Sequence, residues 1–188
     1  MREIATLAGG CFWCLEAVYD RMKGVESVES GYIGGKAPNP SYQAVCTSHT
    51  GHAEAVQITF DSKVVSYREL LEVFFVIHDP TTLNRQGHDV GTQYRSAIFP
   101  TTAEQARVAT AYIDQLKQDA VFGAPIVTSV EPDKTFYPAE AYHQDYLTRN
   151  PRDLYIVVND LPKIEALKRL QPDVFRANPV LVGTARSG

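Results

Sequence analysis

Ile4-Ala5-Thr6-Leu7-Ala8-Gly9-Gly10-Cys11-Phe12-Trp13-Cys14 is the stretch whose reading decides the fold. Ile4 to Ala8 reads as a short buried strand, and Gly9-Gly10 ends it. From Cys11 onward the apolar positions Phe12, Leu15, Val18, Tyr19 and Met22 fall at helical spacing, with Gly24 as the stop. Val25 to Tyr32 returns as a strand before Gly34-Gly35. The opening is therefore strand, glycine turn, helix, strand, with Cys11 at the helix start.

The rest of the chain continues the mixture. Ala53 to Phe60 alternates as a strand does, and Ser66-Tyr67-Arg68-Glu69 is a capping-box pattern opening a helix to about Ile77. Thr81 to Gln93 has almost no apolar content, and a connection that long is more often functional than a spacer. Tyr94 to Phe99 and Ile126 to Val130 read as strands. A second helix starts at Thr101-Thr102-Ala103-Glu104 and a short one covers Ala139 to Thr148. Leu154 to Val158 is read as apolar and extended, a helix covers Ile164 to Leu170, and a loosely ordered tail follows. Strands and helices mixed in this order predict an α+β fold, a mixed sheet layered with helices. One catalytic domain spans 1–188, with its core at about 4–170.

Composition narrows the function classes. The 188 residues carry 18 Lys+Arg against 22 Asp+Glu, a net charge of −4, with no basic stripe, so no nucleic-acid partner is expected. The apolar run at the N-terminus is too short for a signal-peptide core, and Leu70 to Ile77 is far below a spanning length, so no membrane association is expected. Three cysteines in a chain of this size do not make a disulfide scaffold. A cytoplasmic protein is expected, in which cysteines at motif spacing are catalytic or metal-binding.

Gly9-Gly10-Cys11-Phe12-Trp13-Cys14 carries the chemistry. Unpaired N–H groups at a helix start favour a thiolate, so the expectation is a Cys11 thiol of lowered pKa. Cys14, three residues on, falls within the disulfide range of about 4.4–6.8 Å between Cα atoms. Cys11 could attack and Cys14 could resolve. The competing structural reading makes both cysteines small buried hydrophobes. Glu54 is the second informative position. On a strand it shares one face with Val56, Ile58 and Phe60, and an apolar row would keep its carboxyl protonated near neutral pH. A glutamate turning from a strand end into water is the other reading. The tyrosines near Gly31, Gly87 and Gly91, and the segment Tyr142-His143-Gln144-Asp145-Tyr146, offer donors to a ligand or merely pack.

These residues resemble the A-type peptide methionine sulfoxide reductases. The matching pieces are Gly10-Cys11-Phe12-Trp13, Gly31-Tyr32-Ile33-Gly34-Gly35, Thr50-Gly51-His52-Ala53-Glu54, His78-Asp79-Pro80-Thr81-Thr82, Asn84-Arg85-Gln86-Gly87, Gly91-Thr92-Gln93-Tyr94-Arg95-Ser96 and Tyr142-His143-Gln144-Asp145-Tyr146. The resemblance implies a two-layer sandwich with a ferredoxin-like, plait-type core. It implies Cys11 as nucleophile, Glu54 as acid, Phe12 and Trp13 as the pocket for the S-methyl group, and Tyr32, Asp89 and Tyr94 as residues lining the site. The reaction implied is reduction of the S epimer of methionine sulfoxide, free or in proteins, a repair after oxidation that needs no metal or organic cofactor. A neighbouring thiol would condense with the resulting sulfenic acid, and thioredoxin, or glutathione with glutaredoxin, would restore the dithiol. A monomer is expected.

Two departures bear on recycling. Position 14 is Cys where many members have Gly, and no cysteine follows Cys46, where other members carry recycling cysteines near the C-terminus. Cys14 is the expected resolving thiol, with Cys46 as competitor. Two rival readings remain. A thioredoxin-like disulfide oxidoreductase would require a different strand order and a Pro-rich partner loop. A zinc-binding interaction domain would use Cys11, Cys14, Cys46 and His49.

Overall fold

The computed structural model describes residues 1–182. Its strands are β1 (Arg2–Gly9), β2 (Val25–Ile33), β3 (Ala53–Asp61), β4 (Arg85–Gln86), β5 (Asp89–Val90), β6 (Ser96–Phe99), β7 (Ser129–Val130) and β8 (Tyr137–Pro138). The helices are α1 (Phe12–Tyr19), α2 (Tyr42–Cys46), α3 (Tyr67–Ile77), α4 (Ala103–Gln118), α5 (Tyr146–Arg149) and α6 (Leu161–Leu170). No helix among the described residues is long and apolar enough to cross a membrane.

The main sheet runs β7-β6-β1-β3-β2-β8. Its four central strands pair antiparallel, while the β6–β7 edge is parallel, so the sheet is mixed. The order β6-β1-β3-β2 with α1 and α3 as crossovers is the split βαβ, ferredoxin-like arrangement expected above. Alternation along β3 divides the interior. Val56, Ile58 and Phe60 join the large core under the helices, whereas Ala53 and Ala55 join a small cluster with Ala8, Ile33, Ala97 and Phe99 on the opposite face.

α1 is buried on almost every side, because a further layer from the C-terminal part covers the flank that the sheet does not. This layer departs from the expectation at Leu154 to Val158, which is not extended. Asp153 Oδ1 accepts from the Tyr155 N–H at 2.9 Å, the local bond that starts a helix. A π-helical turn at Ile156–Asp160 then runs directly into α6. Ile156 and Asp160, four residues apart, are its buried positions, which is helical rather than strand spacing. Two more short elements differ from expectation. The Thr81 to Gln93 connection contains the β4–β5 hairpin, and α2 had no periodic signal long enough to announce it.

Past α6 the chain lies back across the loop after α1. Lys23 N–H donates to the Val174 carbonyl and Arg176 N–H to the Arg21 carbonyl, each at 2.8 Å. Val182 N–H donates to the Asp145 carboxylate at 3.1 Å. The remainder of the expected tail, 183–188, lies outside the described residues.

Candidate active site

The turn after β1 creates the site. Gly10 has φ +96°, and a Cβ there would stand 2.5 Å from the Gln86 side chain of the β4–β5 hairpin. Glycine is required for both the backbone and the space. Cys11 follows as the N-cap of α1, in extended conformation, so its thiol projects from the helix start. It is 9% exposed.

β3 brings Glu54 to the same place. It lies opposite Tyr32 in the β2–β3 register and is 1% exposed. Its Oε1 accepts from the Phe12 N–H at 3.2 Å, while Oε2 has no partner among the described residues. Burial pushes the carboxyl up to about 8, against the Phe12 hydrogen bond, with Asp89 and Cys14 adding to the rise. At neutral pH Glu54 is a proton donor with a free oxygen.

The thiols behave differently from the sequence expectation. Burial raises the Cys11 thiol well above its ordinary value, and the neighbouring Cys14 and Glu54 add to it. The helix start does not reverse this, because its first N–H is already taken by Glu54. Cys14 instead is lowered to about 6 by its hydrogen bond with Cys11, and, against its burial, by Lys163 and Asp160. Cys46 is exposed at the end of α2, and partial burial raises its thiol.

An aromatic wall surrounds these groups. Trp13 stacks on Tyr146 with centroids 3.7 Å apart and donates its indole N–H to His143 Nδ1 at 3.0 Å. Phe12 packs on Tyr32 and His143 at 5.7 and 5.0 Å. Asp89, on β5, accepts from the Tyr155 hydroxyl at 2.5 Å. The fields of Glu54, Asp89 and Cys11 all reach Tyr94, and with burial they hold its phenol protonated. Tyr32 is fully buried, and its hydroxyl donates to Glu140 Oε1 at 3.0 Å. Glu140 Oε2 accepts from the Tyr42 N–H at 3.1 Å and so fixes the start of α2.

The residues singled out from sequence thus form one constellation, joined by several that sequence reading passed over. Tyr42 is half-buried, feels Glu54 and bonds Cys46. Tyr155 comes from the segment read as extended, and Asp160 follows two residues after that segment ends. The Asp153 cap was the available signal for that segment. Among the described residues no group of three or more His, Cys, Asp or Glu stands together to hold a metal ion, and Cys46 and His49 are both exposed. The zinc set is not assembled.

A cysteine at a helix start beside a buried protonated carboxyl, with a second cysteine one turn on, defines a thiol-dependent oxidoreductase on an α+β sheet. The family model of peptide methionine sulfoxide reductase matches residues 3–173. The chain belongs to that family. It is 57% identical over 175 residues to the peptide methionine sulfoxide reductase MsrA of Deinococcus radiodurans, covering 93% of this chain and 85% of the relative. It is 54% identical over 171 residues to that of Saccharolobus solfataricus, covering 91% and 96%. Among solved structures, reduced Mxr1 from Saccharomyces cerevisiae aligns with TM-score 0.71 and 40% identity over 80% of this chain and 87% of that one. Methionine sulfoxide reductase A of Corynebacterium diphtheriae aligns with TM-score 0.70 and 33% identity over 80% and 76%.

Proposed function

We propose that this member of the family reduces the S epimer of methionine sulfoxide, free or in proteins, with Cys11 as nucleophile and Glu54 as acid. The observation that supports it most is the hydrogen bond from the Phe12 N–H to Glu54, which holds a protonated carboxyl against the residue that follows the thiol. A sulfoxide oxygen is a poor leaving group until it is protonated or strongly hydrogen-bonded. Glu54 gives its proton to that oxygen while Cys11 Sγ bonds to the sulfur. The S–O bond then breaks, methionine leaves, Cys11 holds the hydroxyl as a sulfenic acid, and the former thiol proton returns to Glu54. Phe12 and the clamped Trp13 receive the methyl group, and Asp89 and Tyr94 orient the oxygen. Tyr32 supports this wall from behind.

Cys14 then resolves the sulfenic acid, because it is the neighbouring thiol held as thiolate, while the Cys46 thiol is raised. A thioredoxin-class dithiol, or glutathione with glutaredoxin, reduces the disulfide. The protein acts as a monomer in the cytoplasm. Turnover of the separated sulfoxide epimers with dithiothreitol tests the reading. The S epimer should be consumed and the R epimer left; consumption of R alone, or of neither, would overturn it.

A further inference from the structure

Cys14 is contacted by a residue that local sequence does not connect to it. Asp160 is fully buried at the end of the π-helical turn, and its Oδ1 is in hydrogen-bond contact with Cys14 Sγ across 146 residues of sequence. Oδ2 has no partner among the described residues. Single π-turns inside helical segments recur at functional sites, where they aim one side chain out of helical register. Here the side chain so aimed is a carboxyl, and it meets a thiol rather than a cation. Lys163, half-buried one turn further along α6, acts on both groups.

We propose that Asp160 and Lys163 ready Cys14 for the resolving step, Asp160 by taking the Cys14 proton and Lys163 by countering the thiolate charge. The inference rests on the reading of Cys14 as resolving thiol. The thiol–carboxyl pair holds one proton, and that proton resides on Asp160. Burial and the Cys14 charge push this carboxyl up to about 9, against the pull of Lys163. Oδ1–H then donates to the thiolate. Cys14 Sγ attacks Cys11 Sγ, the S–S bond forms, and the S–O bond of the sulfenic acid breaks. The departing hydroxide takes the Glu54 proton and leaves as water. When an external dithiol reduces the disulfide, Cys14 departs as the lower-pKa thiolate and is received by the same Oδ1–H, so the device serves both directions. The charged and titratable groups acting on Asp160 include Cys14 from α1, Cys11 at its start, Asp153 ahead of the π-turn and Lys163 from α6.

The test is the pH profile of disulfide formation, measured by rapid quench after one equivalent of sulfoxide, in wild type, Asp160→Asn and Lys163→Gln. In wild type the acid limb should have its midpoint at about 6. In Asp160→Asn it should move upward, towards the ordinary thiol range of about 8.5 as the upper limit. At that limit the thiolate fraction at pH 6 falls about 100-fold, and the greater nucleophilicity of the more basic thiol restores about tenfold. Disulfide formation should therefore be slower at pH 6, by up to roughly tenfold, with sulfenic acid accumulating to be trapped by dimedone, and should overtake wild type at high pH, where both thiols are ionised and the more basic one is the better nucleophile. Lys163→Gln, on a half-buried surface position, should move the midpoint the same way. Superimposable profiles in all three proteins would overturn the proposal. Cys14→Ser separates the two layers. If that variant still forms an intramolecular bridge, to Cys46, the reading of Cys14 fails; if it stops at the sulfenic acid while the other profiles coincide, only the role of Asp160 and Lys163 fails.

Discussion

Glu54→Gln should slow the chemistry and stabilise the fold, and the second effect should grow as pH rises from about 5 to about 8. The carboxyl is 1% exposed and raised from 4.5 to about 8. A carboxyl raised on folding contributes stability that is complete below its unfolded value and is lost as pH rises through the folded one. The loss is about 1 kcal/mol at pH 5, about 3 kcal/mol at pH 7 and about 5 kcal/mol at pH 9. Glutamine fills the same volume, accepts from the Phe12 N–H and never ionises. Thermal unfolding should therefore give nearly equal Tm values at pH 5 and a variant more stable by about 10 °C at pH 9, taking 2–4 °C per kcal/mol for a chain of this size. Glu16, Asp20 and Asp160 are raised in the same sense, but they are common to both proteins and cancel in the comparison. Over the same range, single-turnover methionine release should be about 10²–10⁴-fold slower, a barrier increase of about 3–5 kcal/mol. A Tm difference that stays constant from pH 5 to 9 would refute the raised carboxyl. Equal release rates would refute its role as acid.

Three further outcomes follow from the site. Cys11→Ser should release no methionine in a single turnover, because an alcohol cannot hold the oxygen as a sulfenic acid; release above background would move the nucleophile elsewhere. Trp13→Ala removes the ring stacked on Tyr146 and should raise the KM and narrow the preference for methyl over bulkier sulfoxides, a discrimination of about 1–3 kcal/mol per methylene; an unchanged KM and substrate range would place the pocket elsewhere. Cys46→Ser should keep thioredoxin-driven turnover, and peptide mapping of wild type after one turnover should find Cys46 as the free thiol; a Cys11–Cys46 bridge would count against Cys14.

The opening strand, glycine turn and helix were legible because each rests on local stereochemistry. Gly10 needs its positive φ, and the apolar residues after Cys11 keep helical spacing, so Cys11 can only cap that helix. Glu54 was legible for a related reason: strand alternation put it in the row of Val56, Ile58 and Phe60, and that row is the core face. Faces and turns are repeated or nearest-neighbour properties, so a sequence carries them openly. The tertiary structure decided which thiol ionises. Burial lifts Cys11, and the hydrogen bond between the two thiols, with Lys163 and Asp160 adding, lowers Cys14 and reverses the order that the helix start alone suggests. Leu154 to Val158 shows the same limit, since a β-branched run was overruled by one capping bond from Asp153 and by the need to cover α1. The partnerships of Asp89 with Tyr155 and of Trp13 with His143 likewise join residues far apart in the chain. Desolvation and hydrogen bonding act over a few ångströms and depend on neighbours that only the folded chain supplies, so the protonation states of the site were fixed there and not in the local sequence.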